Sequence, residues 1–370
     1  MSVAKPRFTK IAASLPSSVP FVGPEAQERA RKAPFRARIG ANESSFGPAP
    51  SVIGAMQSSA GEMWKYCDPD NFDLRRALAG HLNLNEQNIV VGEGIDGLLG
   101  VAARLFVEAG TPVVTSLGAY PTFNFHVAGC GGRPVFVEYE NDRESLDGLL
   151  DAVRRENAPL VYLSNPDNPM GSWWSAGEIA RFISALPSSA VLLLDEAYGE
   201  TAPAGTLPPS DFIWPNVIRL RTFSKAYGLA GIRCGYAFGD PDVISSFEKM
   251  RNHYGVNKMA QVAGLAALKD QQYLAVVLAR IEAARNRISE LARQNGLEPL
   301  PSATNFVTID CGSDGAFAKK VLDGLLEQDV FVRKPMAPKL DRCIRISVGL
   351  PHELDIFAAE LPKVLAAARS

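Results

Sequence analysis

Cysteine is scarce and unpatterned in this chain. The five thiols (Cys67, Cys130, Cys234, Cys311, Cys343) are scattered through 370 residues, odd in number and without CxxC spacing. They predict neither a disulfide framework nor a zinc site, and read as the reduced thiols of a cytoplasmic protein. Histidine is scarcer still, with four dispersed residues, which argues against a His-rich metal centre; no metal is expected. Neither sign of charge dominates: 38 basic against 40 acidic side chains leave a net charge of -2. Neither nucleic acid nor a membrane surface is therefore an expected partner. No apolar run approaches the roughly 20 residues of a membrane span. The start, Met1-Ser2-Val3-Ala4-Lys5-Pro6-Arg7, leads into no apolar core of the kind a secretory signal carries. There is no internal repeat and no low-complexity tract.

What remains is an ordinary globular composition, 46% hydrophobic and 21% charged, with length enough for two domains. Residues 1–40 have no clean period and read as an arm. From about 88 onward short apolar strands alternate with helical spacing. Strands are expected at 88–91, 112–115, 135–139, 160–163, 190–194, 217–220 and 232–238, with helices over 96–109, 145–156 and 175–186. This rhythm predicts an α/β fold with a mainly parallel sheet covered by helices on both faces, and its ligand at the edge where the strands end. Long helices are expected over 241–296. After them, strands at 304–310, 330–332 and 343–348 and helices at 314–328 and 352–367 predict a smaller α+β domain. The expected division is an arm over 1–40, a large domain over 41–255 and a small domain over 256–370.

The chemistry-bearing residues fall at successive strand ends. Thr222-Phe223-Ser224-Lys225 places a lysine just past an apolar strand, with Arg233 eight residues on. A Lys amine forms a Schiff base with an aldehyde cofactor, and pyridoxal phosphate (PLP) is the common one. Asp195-Glu196-Ala197-Tyr198 closes the most apolar strand. A buried carboxylate needs a cation, and a protonated pyridine nitrogen is one; Tyr198 reaches toward the ring's phenolic oxygen, as does Asn168 from the Asn165-Pro166-Asp167-Asn168-Pro169 loop. Gly92-Glu93-Gly94-Ile95-Asp96 opens a helix and offers free backbone N–H groups to a phosphate, with Thr222, Ser224 and Arg233 completing the cup. Tyr120-Pro121-Thr122-Phe123 supplies an aromatic for ring stacking. Arg333 and Arg345 are cations suited to carboxylate or phosphate. Each segment alone has an ordinary reading as a loop lysine, a turn, a salt bridge, a core aromatic or a surface arginine. One cofactor at one sheet edge explains all of them together.

With these residues assembled, the chain resembles the fold-type I PLP enzymes and, more narrowly, the histidinol-phosphate aminotransferases. Ala41-Asn42-Glu43-Ser44-Ser45-Phe46-Gly47-Pro48, Tyr66-Cys67-Asp68-Pro69, Asn168-Pro169, the Lys225 segment and Arg345-Ile346-Ser347-Val348-Gly349 carry the resemblance. It implies a seven-stranded large-domain sheet and a PLP-dependent transaminase with ping-pong chemistry. L-histidinol phosphate is the first expected donor and 2-oxoglutarate the expected acceptor. An aromatic or other amino-acid aminotransferase, a PLP-dependent decarboxylase of a phosphorylated amino acid, and a non-catalytic PLP-fold protein are the rivals. By resemblance Lys225 carries the cofactor, Asp195 pairs its ring nitrogen and Tyr198 and Asn168 meet its phenolic oxygen. Phe123 stacks on the ring, while Ile95, Asp96, Thr222, Ser224 and Arg233 hold its phosphate. Tyr66 reaches the neighbouring subunit's phosphate, which implies a homodimer. Arg345 takes the substrate carboxylate and Arg333 the phosphate end of the donor. Three departures stand out: Met170 in place of a usual Thr, Ile95 in place of a small residue, and the absence of Tyr from Val19-Pro20-Phe21-Val22-Gly23.

Overall fold

The most apolar stretches of the chain become the centre of a sheet. The computed structural model describes residues 6–17 and 22–370. In chain order the strands are β1 (Ala37–Arg38), β2 (Ile89–Gly92), β3 (Pro112–Ser116), β4 (Arg133–Val137), β5 (Leu160–Ser164), β6 (Val191–Asp195), β7 (Val217–Thr222), β8 (Gly235–Gly239), β9 (Glu298–Pro299), β10 (Phe306–Asp310), β11 (Val330–Phe331) and β12 (Cys343–Ser347). Seven of them form one sheet in the order β2-β8-β7-β6-β5-β3-β4. All neighbours are parallel except β8, which runs antiparallel to both β2 and β7. The expected α/β fold with a mainly parallel, helix-flanked sheet is what forms.

Alternation along the strands sorts the two faces. Leu160 and Tyr162 of β5 pack with Leu193 and Ile218 against helices Gly94–Phe106 and Pro121–Gly129. Val161 and Leu163 point the other way, onto helices Leu146–Glu156 and Ala176–Ala185. Burial on both faces is why β5 reads as an unbroken apolar run rather than an alternating one. At the β2 edge, Ile89, Val91, Tyr236 and Phe238 pack on helices Phe72–Leu82 and Lys258–Lys269, through Leu74, Leu78, Ala260 and Ala263. The helix Lys258–Lys269 thus belongs to the large layer. Asp270 then caps the 24-residue helix Gln271–Gln294, whose start, Leu274, packs on that layer while Val277, Ile281 and Ile288 lie in a separate core.

That second core is small and α+β. The sheet β12-β10-β9 is antiparallel and is covered by helices Gly315–Glu327 and Pro351–Arg369. The N-terminal arm joins it: β1 pairs parallel with β11, and Ala37 and Ile39 are buried in its core. The arm also contains short helices at Lys10–Ser14 and Pro24–Arg31. Of the divergent segment 19–23, residues 19–21 lie outside the described residues. Among the described residues no helix is long and apolar enough to cross a membrane.

Candidate active site

Strand direction builds the site. The parallel strands β5, β6 and β7 all end at one edge, carrying the Asn165–Asn168 loop, Asp195, and Thr222 to Lys225. The antiparallel β8 starts there, and the pair Thr222↔Gly235 brings Arg233 beside the Lys225 segment. The pair Gly92↔Gly235 does the same for the helix that opens at Gly94. Reversal of this one strand therefore gathers the phosphate-cup candidates from two distant segments.

A cavity of about 140 Å³ lies at this edge, lined by Ile95, Asp96, Asn168, Asp195, Tyr198, Thr222, Ser224, Lys225 and Arg233. Of the thirteen residues expected to form the site, Phe123 is differently placed. It is wholly buried and stacks on Tyr162 at 4.8 Å, inside the core. Tyr120, the residue before the helix Pro121–Gly129, lines the cavity in its stead. Tyr66 is also elsewhere: it is 83% exposed and packs on Tyr254 with ring centroids 4.9 Å apart. Arg333 and Arg345 are antiparallel bridge partners at the smaller sheet. Arg345 donates to Asn168 Oδ1 at the cavity and lies over the Phe306 ring at 5.1 Å, while its buried Nε has no hydrogen-bond partner among the described residues. Arg333 donates to the Val22 carbonyl at 2.5 Å.

Burial sets the electrostatics. Lys225 Nζ donates to the Asn42 carbonyl at 3.1 Å. Its pKa is lowered to about 8 by burial first, then by Arg345 and Arg233, against the pull of Asp195. A neutral, nucleophilic amine is therefore far more accessible near neutrality than for an ordinary lysine. Asp195 is raised to about 6, chiefly by burial. It accepts from Tyr162 Oη at 2.7 Å and from the Ala197 N–H at 2.9 Å. The Tyr198 phenol is raised by burial and stays neutral. Arg345 is lowered to about 10, again by burial, and a guanidinium there remains charged at neutral pH.

PLP fits this donor set on two observations. Asp195 is buried yet has no cationic side chain within ion-pair distance among the described residues. That is a costly state unless a bound cation meets it. Gly94 has φ +75, and a Cβ there would stand 2.6 Å from Arg233 Nη2, so the chain keeps an open approach between the helix start and the guanidinium, the chemistry of an anion cradle. Thr222, Ser224 and Arg233, the residues expected to form the cup, stand together: Thr222 Oγ1 bonds Ser224 Oγ at 2.9 Å, and Arg233 Nη1 reaches Ser224 Oγ at 3.5 Å.

Behind the Asn168 loop lie two buried carboxyls that composition and motif did not single out as a pair. Glu144 accepts from Ser116 Oγ and from the Ser164 N–H and Oγ; Asp167 accepts from Tyr139 Oη at 2.8 Å and the Met170 N–H at 3.0 Å. Both acids are raised by burial, and Ser164 Oγ donates to each of them. Met170 itself is 1% exposed and packs on Ala337, Leu340 and Cys343, an apolar role that a Thr there would fill less well. A larger hollow of about 390 Å³ beside Arg143, Met170, Trp173 and Leu300 contains none of the residues gathered at the strand edge.

Known proteins agree with this geometry. The family model for aminotransferase class I and II matches residues 38–361. Histidinol-phosphate aminotransferase 1 of Mesorhizobium japonicum is 37% identical over 346 residues, spanning 90% of this chain and 92% of that protein. The crystal structure of histidinol-phosphate aminotransferase from Sinorhizobium meliloti in complex with pyridoxal-5'-phosphate is 56% identical, with TM-score 0.95 over 98% of this chain and 99% of that one. L-threonine-O-3-phosphate decarboxylase from Porphyromonas gingivalis, 20% identical, reaches a TM-score of 0.76 over 89% of this chain and 99% of that one, and so shares the fold alone. The chain belongs to the aminotransferase class I and II family and, within it, to the fold-type I, PLP-dependent histidinol-phosphate aminotransferase family.

Proposed function

We propose that this transaminase moves the amino group of L-histidinol phosphate to 2-oxoglutarate. The observation that carries the reading is the Arg345–Arg333 bridge pair. One cation bonds Asn168 at the cavity wall and keeps an unmatched buried Nε, and its neighbour sits at the arm. Two adjacent cations at one cleft suit a pair of substrates that each bear an anionic end. The names of the relatives point to the same donor.

PLP supplies an electron sink and a carbon that carries the amino group between the two half-reactions. Asp195 stabilises positive charge on the bound ring nitrogen. Tyr198 donates its phenol proton, and Asn168 orients its amide, toward the ring's oxygen. The backbone at Ile95 and Asp96, with Thr222, Ser224 and Arg233, fixes the phosphate. Tyr120 takes the stacking role expected of Phe123. Lys225 Nζ takes up the substrate Cα proton as general base and later returns a proton as general acid. Arg345 pairs with the carboxylate of glutamate or 2-oxoglutarate, and Arg333 favours a phosphate at the far end of the donor.

The assembly we propose is a cytoplasmic homodimer in which Tyr66 completes the partner's phosphate cup. Met63, Trp64, Tyr66 and Tyr254 are all exposed, a set of large apolar surfaces suited to a covered face. Within each protomer we place an arm over 1–40, a large domain from 41 and a small domain to 370, with the passage between domains inside the helix Gln271–Gln294.

Single-turnover kinetics with histidinol phosphate, histidinol and phenylalanine test the donor. A preference for the phosphorylated donor, with turnover that depends on 2-oxoglutarate, is the expected result. No preference transfers the chain to the aromatic or general aminotransferase reading. Turnover without an acceptor transfers it to the decarboxylase reading.

A further inference from the structure

Asn42 has no assigned role, yet its polar groups meet both domains at the reactive amine. It lies between β1 and the helix Pro50–Ser59, 3% exposed and at φ +55. Its side-chain Nδ2 donates to Tyr198 Oη at 3.0 Å. Its carbonyl accepts from Lys225 Nζ at 3.1 Å and from Asn305 Nδ2 at 3.1 Å. Its N–H donates to Ser347 Oγ at 2.9 Å, and Ser347 Oγ donates back to Asn42 Oδ1 at 3.0 Å. Tyr198 and Lys225 belong to the large domain. Ser347 ends β12 and Asn305 precedes β10, both in the small one.

The direction of the Nδ2 bond matters. A phenol oxygen that accepts from Asn42 is left with its own proton to give. Tyr198 stays a neutral donor because burial raises its pKa. The Asn42 amide oxygen accepts from Ser347 Oγ, and this bond favours the orientation that presents Nδ2 to Tyr198.

We infer that Asn42 is a positioning residue that fixes the Tyr198 phenol as a hydrogen-bond donor toward the cofactor, and that Ser347 makes this orientation depend on docking of the small domain. The inference rests on Tyr198 meeting the cofactor's phenolic oxygen. Its residues and the amide they orient are all on the two-domain junction, and the backbone contact to Lys225 is independent of the side chain.

The test is Asn42→Gly, which keeps the left-handed backbone and the Lys225 contact while removing the amide. Two quantities are read: the PLP dissociation constant, by quenching of protein fluorescence, and the pH midpoint of the loaded enzyme's visible absorbance. A donor at the phenolic oxygen stabilises the deprotonated chromophore, so loss of orientation weakens PLP by roughly 3–10-fold and raises the midpoint by roughly half to one unit. Both effects are expected to vanish when Asn42→Gly is made in a Tyr198→Phe background, since the amide acts only through that hydroxyl. Equal effects with and without the hydroxyl, or no effect in the single variant, overturn the inference. If Tyr198→Phe alone changes neither quantity, the assignment of Tyr198 to the cofactor fails and takes the inference with it. Ser347→Ala frees the same amide and serves if Asn42→Gly does not fold: a smaller shift in the same direction supports the inference, and an unchanged midpoint refutes it.

Discussion

Replacing Asp195 by Asn is expected to stabilise the cofactor-free protein and cripple the enzyme. The carboxyl is 5% exposed and its pKa is raised from 3.8 to about 6, chiefly by burial. A folded pKa about 2 units above the unfolded one corresponds to roughly 3 kcal/mol, at about 1.4 kcal/mol per unit. The sign follows from proton counts. Below the unfolded pKa both states hold the proton and no penalty exists. Between the two values the folded chain keeps a proton that the unfolded chain has released, so stability falls as pH rises through about 6, and the full penalty persists above it. Asn carries no such titration. Its gain is smaller than the full penalty, because two donors, Tyr162 Oη and the Ala197 N–H, now converge on the side chain and an amide offers only one acceptor. A net gain of about 1–3 kcal/mol at pH 8 is expected. The assay is urea unfolding of cofactor-free wild type and variant from pH 4 to 8, at one protomer concentration. Wild type should lose more stability than the variant across pH 4–6, the other buried acids contributing equally to both, and the variant should lose about 100-fold or more in turnover. Parallel pH curves would show that Asp195 pays no burial penalty, and the case for a bound cation as its missing partner would go with it.

Borohydride reduction of the loaded enzyme should fix the cofactor to the peptide containing Lys225, and Lys225→Ala should bind PLP yet lose turnover by orders of magnitude; label on another lysine refutes the assignment. Arg345→Ala removes a charged contact whose Nε has no other partner, and should slow the 2-oxoglutarate half-reaction by tens- to hundreds-fold, on the order of 2–4 kcal/mol. Mixing inactive Tyr66→Ala with inactive Lys225→Ala should restore activity, because one site of each hybrid dimer holds both residues; hybrids that form without activity place Tyr66 outside the partner's site.

The parts of the site that sequence made legible are those fixed by local chain direction. Lys225, Asp195 and the Asn165–Asn168 loop each follow an apolar strand within a few residues, so a parallel sheet brings them to one edge without further information. Arg233 needed one more fact, the reversal of β8, which the spacing of apolar residues does not reveal. Phe123 lies where pattern alone does not place it. An aromatic was expected after β3, but the helix Pro121–Gly129 turns Phe123 onto Tyr162 and leaves Tyr120 at the cavity. Which of two aromatics lines the cavity depends on where a helix starts, a boundary that sequence places only within a few residues. Asn42 is harder still. Its partners lie 156, 183, 263 and 305 residues away, and only the packing of the smaller sheet against the larger layer brings them together. Glu144 and Asp167 are hidden for the same reason, since no periodicity marks two acids from different segments as neighbours.

The same two arginines that await anions also hold down the pKa of the lysine. Burial is the largest cause of the fall to about 8, and Arg345 and Arg233 follow. An anion at either guanidinium screens it from Lys225 Nζ, so the amine becomes more basic as the site fills. Lys225 is thus more often the free amine while the cleft is empty of anions, and more basic once they are present. Burial remains, so the recovery stops short of the ordinary value of 10.5. The measurement is the pH dependence of Lys225 acylation in the cofactor-free protein, with and without inorganic phosphate and a dicarboxylate. A midpoint near 8 that rises with either anion is expected, and Arg233→Gln should abolish the response to phosphate alone. A midpoint unmoved at saturating anion would mean that burial by itself tunes Lys225, and that the arginines serve binding without touching the base.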